Sequence, residues 1–319
     1  MNILASKSKM LLLKGILIGV AAVLIVVLGV YLVRIIGEKP ALVVSHSTPP
    51  AAPKSKPKLA NGKTTLFPHS RLVALYGTPD APALGVLGEH SFGPAAARIK
   101  KLASEYQRHT KQHMYPAMEI IATVAAAEPT ANNDYSREVD FTKLEAWIRA
   151  AEKQGIYIVL DLQPGRSSFV TQAKQLEKLL TYPHVGLALD PEWRLSRTQV
   201  HLEQIGSVTA AEVNATATWL ARLVRKHQLP QKLFLLHQFR NSMIQDRTTL
   251  KIPPELAAVI QMDGHGAQFT KLDTWRATQT DLPSTLRLGW KNFYNEDLPM
   301  LTPAQTLKIT PVPWFVSYQ

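Results

Sequence analysis

Two stretches decide the fold: Leu160-Asp161-Leu162-Gln163 and Val185-Gly186-Leu187-Ala188-Leu189-Asp190-Pro191-Glu192-Trp193. Each reads as a short buried strand that ends in a carboxylate. Side chains alternate along a strand, so Gly186, Ala188, Asp190 and Glu192 fall on one face. Small residues followed by acids describe a strand packed at its inner end and opening into a polar mouth. Working outward, further apolar runs recur near Leu72–Tyr76, Ala117–Val124, Tyr157–Leu162, Leu233–His237, Ala257–Met262, Leu286–Trp290 and Trp314–Tyr318. With Val185–Leu189 they make eight.

Amphipathic segments lie between the runs, as repeated strand-helix units require. Pro94–Thr110 carries Ile99, Leu102 and Tyr106 on one stripe, and Phe141–Gln154 is stopped by Gly155. Thr209–His227 opens on the capping pair Thr209 and Glu212. Shorter helices are expected at Thr270–Thr280 and Thr302–Lys308. Ser167-Ser168 reads as a loop and helix cap. Thr78–Phe92 reads as a long loop, and Pro253-Pro254 breaks any helix before the sixth strand. The expected fold is α/β: a single (β/α)8, TIM-like barrel over residues 66–319. A doubly wound open sheet is the alternative, but no glycine-rich phosphate loop follows the first strand.

Two further segments precede the barrel. Gly15–Val33 is an unbroken apolar run of 19 residues, bracketed by Lys14 and Arg34, about the length of a membrane-crossing helix. Residues 1–37 therefore read as a cytoplasmic stub and an uncleaved transmembrane helix, with membrane contact through residues 11–36. Lys7, Lys9 and Lys14 favour a single-pass, N-in orientation in the cell membrane with the C-terminal domain extracytoplasmic. Residues 38–65 contain Pro40, Pro49, Pro50, Pro53 and Pro57 among lysines and show no apolar periodicity, so they read as a disordered linker.

Charge and composition narrow the function. The chain carries a net +12, but residues 1–65 hold nine basic residues against Glu38, a net of +8, which leaves +4 for the remaining 27 basic and 23 acidic residues. A nucleic-acid binder would concentrate basic charge on its folded domain, so nucleic acid is not an expected partner. Cysteine is absent, which excludes disulfides, thiolate metal sites and a cysteine nucleophile. No cofactor or metal is expected.

In such barrels the site sits at the carboxyl ends of the strands. Those ends supply Asp161, Asp190, Glu192 and Asp263 as candidate catalytic acids. Tyr76, Gln163, His237, Gln238, His265, Trp290 and Tyr318 are candidate substrate-binding residues. Aromatic faces stack on sugar rings, and amides and carboxylates bind hydroxyls. Glycosidic cleavage needs one carboxyl to protonate the departing oxygen and a second as base or nucleophile. Glu192, with the longer side chain, is the preferred general acid, and Asp190 or Asp263 the charged partner. Asp161 would tune the pair. Glu119, inside an apolar run, reads as a buried polar contact near the barrel bottom, with reach to the site as the alternative.

The Asp190-x-Glu192 pattern on the fourth strand resembles the acid pair of lysozyme-like family 25 glycoside hydrolases, and is similar to the end of the fourth-strand motif of chitinase-type barrels. Trp314–Gln319 is similar to the aromatic-rich last strand of the lysozyme-like family. The first strand ends Leu75-Tyr76-Gly77, without that family's early aspartate. The resemblance implies a (β/α)8 barrel, places the catalytic acid at Glu192, and makes a glycan or cell-wall polymer the expected partner. Two alternatives stand beside it. One is a catalytically inactive surface-binding or scaffold barrel. The other is a metal-dependent hydrolase using His237, Asp263 and His265 with Asp161 or Asp190.

Overall fold

The computed structural model describes residues 25–32, 34 and 57–319. Residues 25–32 are helical, with exposed apolar side chains such as Ile25 and Leu28. The rest of the expected membrane segment and most of the expected linker lie outside the described residues. Among the described residues no helix is long and apolar enough to cross a membrane.

Eight parallel strands form a closed ring. They are β1 (Ser70–Gly77), β2 (His113–Ala125), β3 (Tyr157–Leu162), β4 (Val185–Leu189), β5 (Lys232–Gln238), β6 (Leu256–Met262), β7 (Arg287–Asn292) and β8 (Phe315–Tyr318). Each pairs with its neighbours in sequence order, and β1 closes the ring by pairing with both β8 and β2. This is the expected TIM-like barrel. A short antiparallel strand, Ser136–Glu138, caps the upper end of β2.

The surrounding helices are α1 (Phe92–Gln107), α2 (Phe141–Gln154), α3 (Phe169–Gln175), α4 (Glu177–Leu180), α5 (Ala210–Lys226), α6 (Gln268–Gln279) and α7 (Pro303–Thr306). Their termini obey local chemistry. Asp140, Ser168, Thr209 and Thr302 each accept the N3 amide of the helix they precede. Gly155 takes the left-handed conformation that ends α2. The β5–β6 connection carries 3-10 turns and the two-residue strand Ile244–Gln245, which pairs with Val208–Thr209, ahead of Pro253-Pro254.

Strand alternation sorts the core into two layers. Outward residues such as Val73, Ile120, Leu160, Leu187, Leu236 and Ile260 pack against the helices. Inward residues fill the barrel: Leu72, Ala74, Tyr115, Ala117, Tyr157, Val159, Leu233, Val259 and Phe315. Gly186 makes room for this filling, because a Cβ there would lie 2.6 Å from the Leu233 carbonyl and 3.1 Å from the Tyr157 ring.

The expected linker differs at its end. Leu59 is buried against the same interior residues as Leu66 of the barrel domain, and the described residues from 57 onward group with the barrel. The Ala60 amide donates to the Tyr115 hydroxyl at 3.1 Å, and the Gln231 amide donates to the Thr64 carbonyl at 2.8 Å. These residues close the amino-terminal end of the barrel, so the functional mouth is left at the other end.

Candidate active site

Above the apolar filling, the inward positions of the strands turn polar. The first level is Gln261, whose amide donates to the Ser317 hydroxyl at 2.8 Å. Gly289 admits it, since a Cβ there would meet the Gln261 side-chain oxygen at 2.0 Å. One level higher lie Glu119 of β2, Asp161 of β3, His237 of β5 and Lys291 of β7, all buried. Above them a cavity of about 480 Å³ opens at the carboxyl ends of the strands.

His237 is the centre of this level. Its Nδ1 lies 2.6 Å from Asp263 Oδ2 and its Nε2 lies 2.8 Å from Glu119 Oε1. Asp161 Oδ1 is 4.0 Å from the same Nε2. Burial alone would push the imidazole down, but Glu119, Asp263 and Asp161 outweigh it and hold its pKa well above the ordinary value. The ring is thus an imidazolium donating both N–H groups to carboxylates.

Asp263 sits between His237 and Lys291, whose Nζ is 2.9 Å from Oδ1. Burial works against its charge, yet Lys291 and His237 bring its pKa down to about 2. Lys291 is itself held raised, against burial, by Asp263 and Glu119, and its ammonium lies 3.7 Å from the centre of the Tyr76 ring. The Tyr76 hydroxyl donates to Asp161 Oδ2 at 3.0 Å. Asp161 is fully buried, and desolvation lifts it to about 6.

Asp190 and Glu192 behave in the opposite way to Asp263. β4 ends at Leu189, and Pro191–Trp193 is a 3-10 turn capped by Asp190, whose Oδ1 accepts the Glu192 amide at 3.3 Å. Glu192 is therefore not on the strand face expected from alternation, but the turn still delivers it to the cavity wall. Burial, with Asp161, Glu192 and Asp263 nearby, pushes Asp190 well up despite His237. Burial and the Asp263 charge also raise Glu192. One cavity thus presents a fixed anion beside two carboxyl groups whose pKa values are raised, a division that suits acid-base chemistry.

The cavity is lined by Tyr76, Gln163, Asp190, Glu192, Asp263 and His265 among the residues expected from the sequence. The Gln163 side-chain oxygen is occupied by the Ala125 amide at 2.9 Å, so its amide nitrogen is the group free to meet a ligand. Asp161 and His237 lie directly beneath, fully buried, and reach the cavity only through their neighbours. Three expected binding residues are elsewhere. Gln238, Trp290 and Tyr318 point outward from the barrel: Gln238 accepts from Arg247, Trp290 packs edge-on against Trp275, and Tyr318 bonds the Tyr106 hydroxyl at 2.6 Å. Each directly neighbours an inward residue in sequence, and alternation allows only one of the two to face in.

The sequence reading gave no role to Trp193, Phe239, Arg240 and Phe293, which also line the cavity. Lys291, next to the expected Trp290, is the side chain that faces in, because Gly289 and Lys291 share the inward parity. Glu119 is buried as expected, but it belongs to the polar network rather than to the apolar filling.

Asp190, His237 and Asp263 each offer an atom within 4.8 Å of the others, a spacing that can surround a cation. Both His237 nitrogens are already engaged with carboxylates, however, so a metal would have to displace the Asp263 bond. His265 stands outside this trio and packs edge-on against Phe293 at 5.5 Å. No protein-family model matches the chain, and no curated protein matches it; its classification rests on the (β/α)8 architecture.

Proposed function

We propose that this chain is a membrane-anchored, extracytoplasmic barrel that hydrolyses a glycan of the cell envelope, with Glu192 as general acid and Asp263 as the charged partner. The observation that carries this reading is the opposite electrostatic bias of two carboxyl groups lining one cavity: Glu192 raised and Asp263 lowered to about 2. Glycosidic cleavage uses that division, a protonated acid at the leaving oxygen and a carboxylate at the developing positive charge. Trp193, Phe239 and Phe293 offer aromatic surface for sugar rings beside these acids. The resemblance of Asp190-x-Glu192 to family 25 and chitinase-type acid pairs points the same way. The apolar run between Lys14 and Arg34 supports the anchor, and the lysines before it support an N-in orientation.

The test is release of reducing ends from isolated envelope glycans by the full chain in detergent. Glu192→Gln is expected to lower turnover by roughly 10²–10⁴-fold, the usual contribution of a general acid, while glycan binding is kept. Undiminished turnover in the variant would remove Glu192 from the mechanism. A barrel that binds glycan but never turns it over would be a binding or scaffold module. The spacing of Asp190, His237 and Asp263 keeps a metal-dependent hydrolase as a second reading. Activity unchanged by a chelator would eliminate it.

A further inference from the structure

A second hollow, of about 610 Å³, opens among the loops that follow β2, β3 and β4, at the same end of the barrel as the cavity. Its lining is polar: Asn133, Asp134, Arg166, Thr171, Gln175 and Arg197 carry the argument. The Arg166 guanidinium lies 4.1 Å from the centre of the Tyr135 ring, and its Nε and Nη2 donate to the Gln199 carbonyl at 3.2 and 2.9 Å. That leaves Nη1 without a partner among the described residues. Arg197 is exposed and, like Arg166, forms no salt bridge among the described residues. The one carboxylate of the hollow, Asp134, is turned to its own loop, where it accepts the Thr130 hydroxyl and the Ser136 amide. The lining therefore carries two cationic side chains against one anionic one, beside amides and a hydroxyl.

The two openings share a continuous wall. The Trp193 ring, which lines the cavity, is 5.3 Å from the His201 ring, and His201 is 6.4 Å from Tyr135, the ring on which Arg166 rests. His201 is fixed there by its Nε2 contact with the Tyr135 carbonyl at 3.0 Å.

We propose that this hollow is a second subsite for a carboxylate-bearing sugar of the same chain whose neighbouring unit occupies the cavity. Arg166 and Arg197 meet the carboxylate, and Asn133, Thr171 and Gln175 meet hydroxyls. A guanidinium and a carboxylate form charge-assisted hydrogen bonds, the strongest class in reach of a solvent-open site. The inference rests on the glycan reading of the cavity and adds a substrate class to it: an acidic oligosaccharide long enough to span both openings.

The test uses the full chain in detergent with paired probes that differ in charge: hexagalacturonate against its methyl ester, and a tetrasaccharide of alternating N-acetylglucosamine and N-acetylmuramic acid against chitotetraose. Binding is followed by calorimetry, and its place by hydrogen exchange of peptides covering residues 132–134, 166–175 and 190–193. At least one acidic probe is expected to bind about 10-fold or more tightly than its neutral partner, the gain of one charge-assisted hydrogen bond. Protection is expected in all three segments. Arg197→Gln, at an exposed position, should erode the preference, and Arg166→Gln with Arg197→Gln should abolish it. Equal affinity for acidic and neutral probes, or a preference that survives in the double variant, overturns the inference. So does equally strong binding of inorganic phosphate, which would mark a plain anion site. Protection confined to residues 190–193 would sink the second subsite and leave the glycan reading standing. Absence of binding by every probe would sink both.

Discussion

Asp263 and Glu192 face one cavity, yet their surroundings drive them apart. Lys291 and His237 keep Asp263 charged, whereas Glu192 makes no side-chain hydrogen bond or ion pair among the described residues and is raised by burial. Replacing Asp263 with asparagine would remove the carboxylate that pairs with Lys291 and one of the two hydrogen-bonded to His237. Breaking a buried pair in this way costs roughly 3–5 kcal/mol, so Asp263→Asn should lower the denaturation midpoint as well as turnover. Glu119→Gln separates positioning from chemistry. It should leave glycan affinity nearly unchanged while shifting the pH profile of turnover, because His237 loses one of the charges that keep it protonated.

Acid stability follows from the same groups. Asp263 has a folded pKa of about 2, below its unfolded value, so its contribution is present above about pH 4 and disappears as pH falls towards 2. Asp161 has the reverse sign: raised to about 6, it favours the fold when protonated and costs stability as pH rises from about 4 through 6. Asp161→Asn should therefore flatten the decline in thermal midpoint between about pH 4 and 6, measured by calorimetry. An unchanged slope would mean that Asp161 is not the titrating group. The acids themselves were legible in the sequence because strand ends mark them. Gln238, Trp290 and Tyr318 were misplaced because neighbouring residues at a strand end were both taken as site candidates, and alternation turns one of each pair outward.

Among the elements, every barrel strand was visible as a short apolar run, and α2 and α5 were announced by their caps. α3 and α4 were less visible. Phe169–Leu180 is too short and too interrupted for a full amphipathic stripe, and only the cap at Ser168 signalled it. Gly186 belongs to this scale because its absent side chain sets the spacing of β4 against Tyr157 and Leu233. Gly186→Ala forces a shift against backbone and should cost about 1–3 kcal/mol in chemical denaturation. An unaltered midpoint would show that the barrel yields there. Asp140→Ala should cost about 1 kcal/mol by loss of the α2 cap, without effect on the cavity.

The barrel is a ring closed below and open above. Leu59 and Leu66 seal the lower end, although prolines, lysines and a glycine around Leu59 read as a linker, with no period there to betray its burial. The upper end gathers acids from strands that are distant in the chain, and only closure of β1 on β8 and β2 brings them together. Alternation announces which residues face in, but the pairing between Asp263, His237 and Glu119 is a three-dimensional fact that no local pattern contains. This mouth holds Asp263 as a fixed anion beside Glu192, a carboxyl with a raised pKa. A ¹³C carboxyl titration of the full chain reads both groups, with Asp263→Asn and Glu192→Gln to assign the signals. Asp263 is expected to stay ionised down to about pH 2, and Glu192 to titrate above the ordinary glutamate value. Asp263 taking up its proton at or above the pH at which Glu192 does would contradict this division.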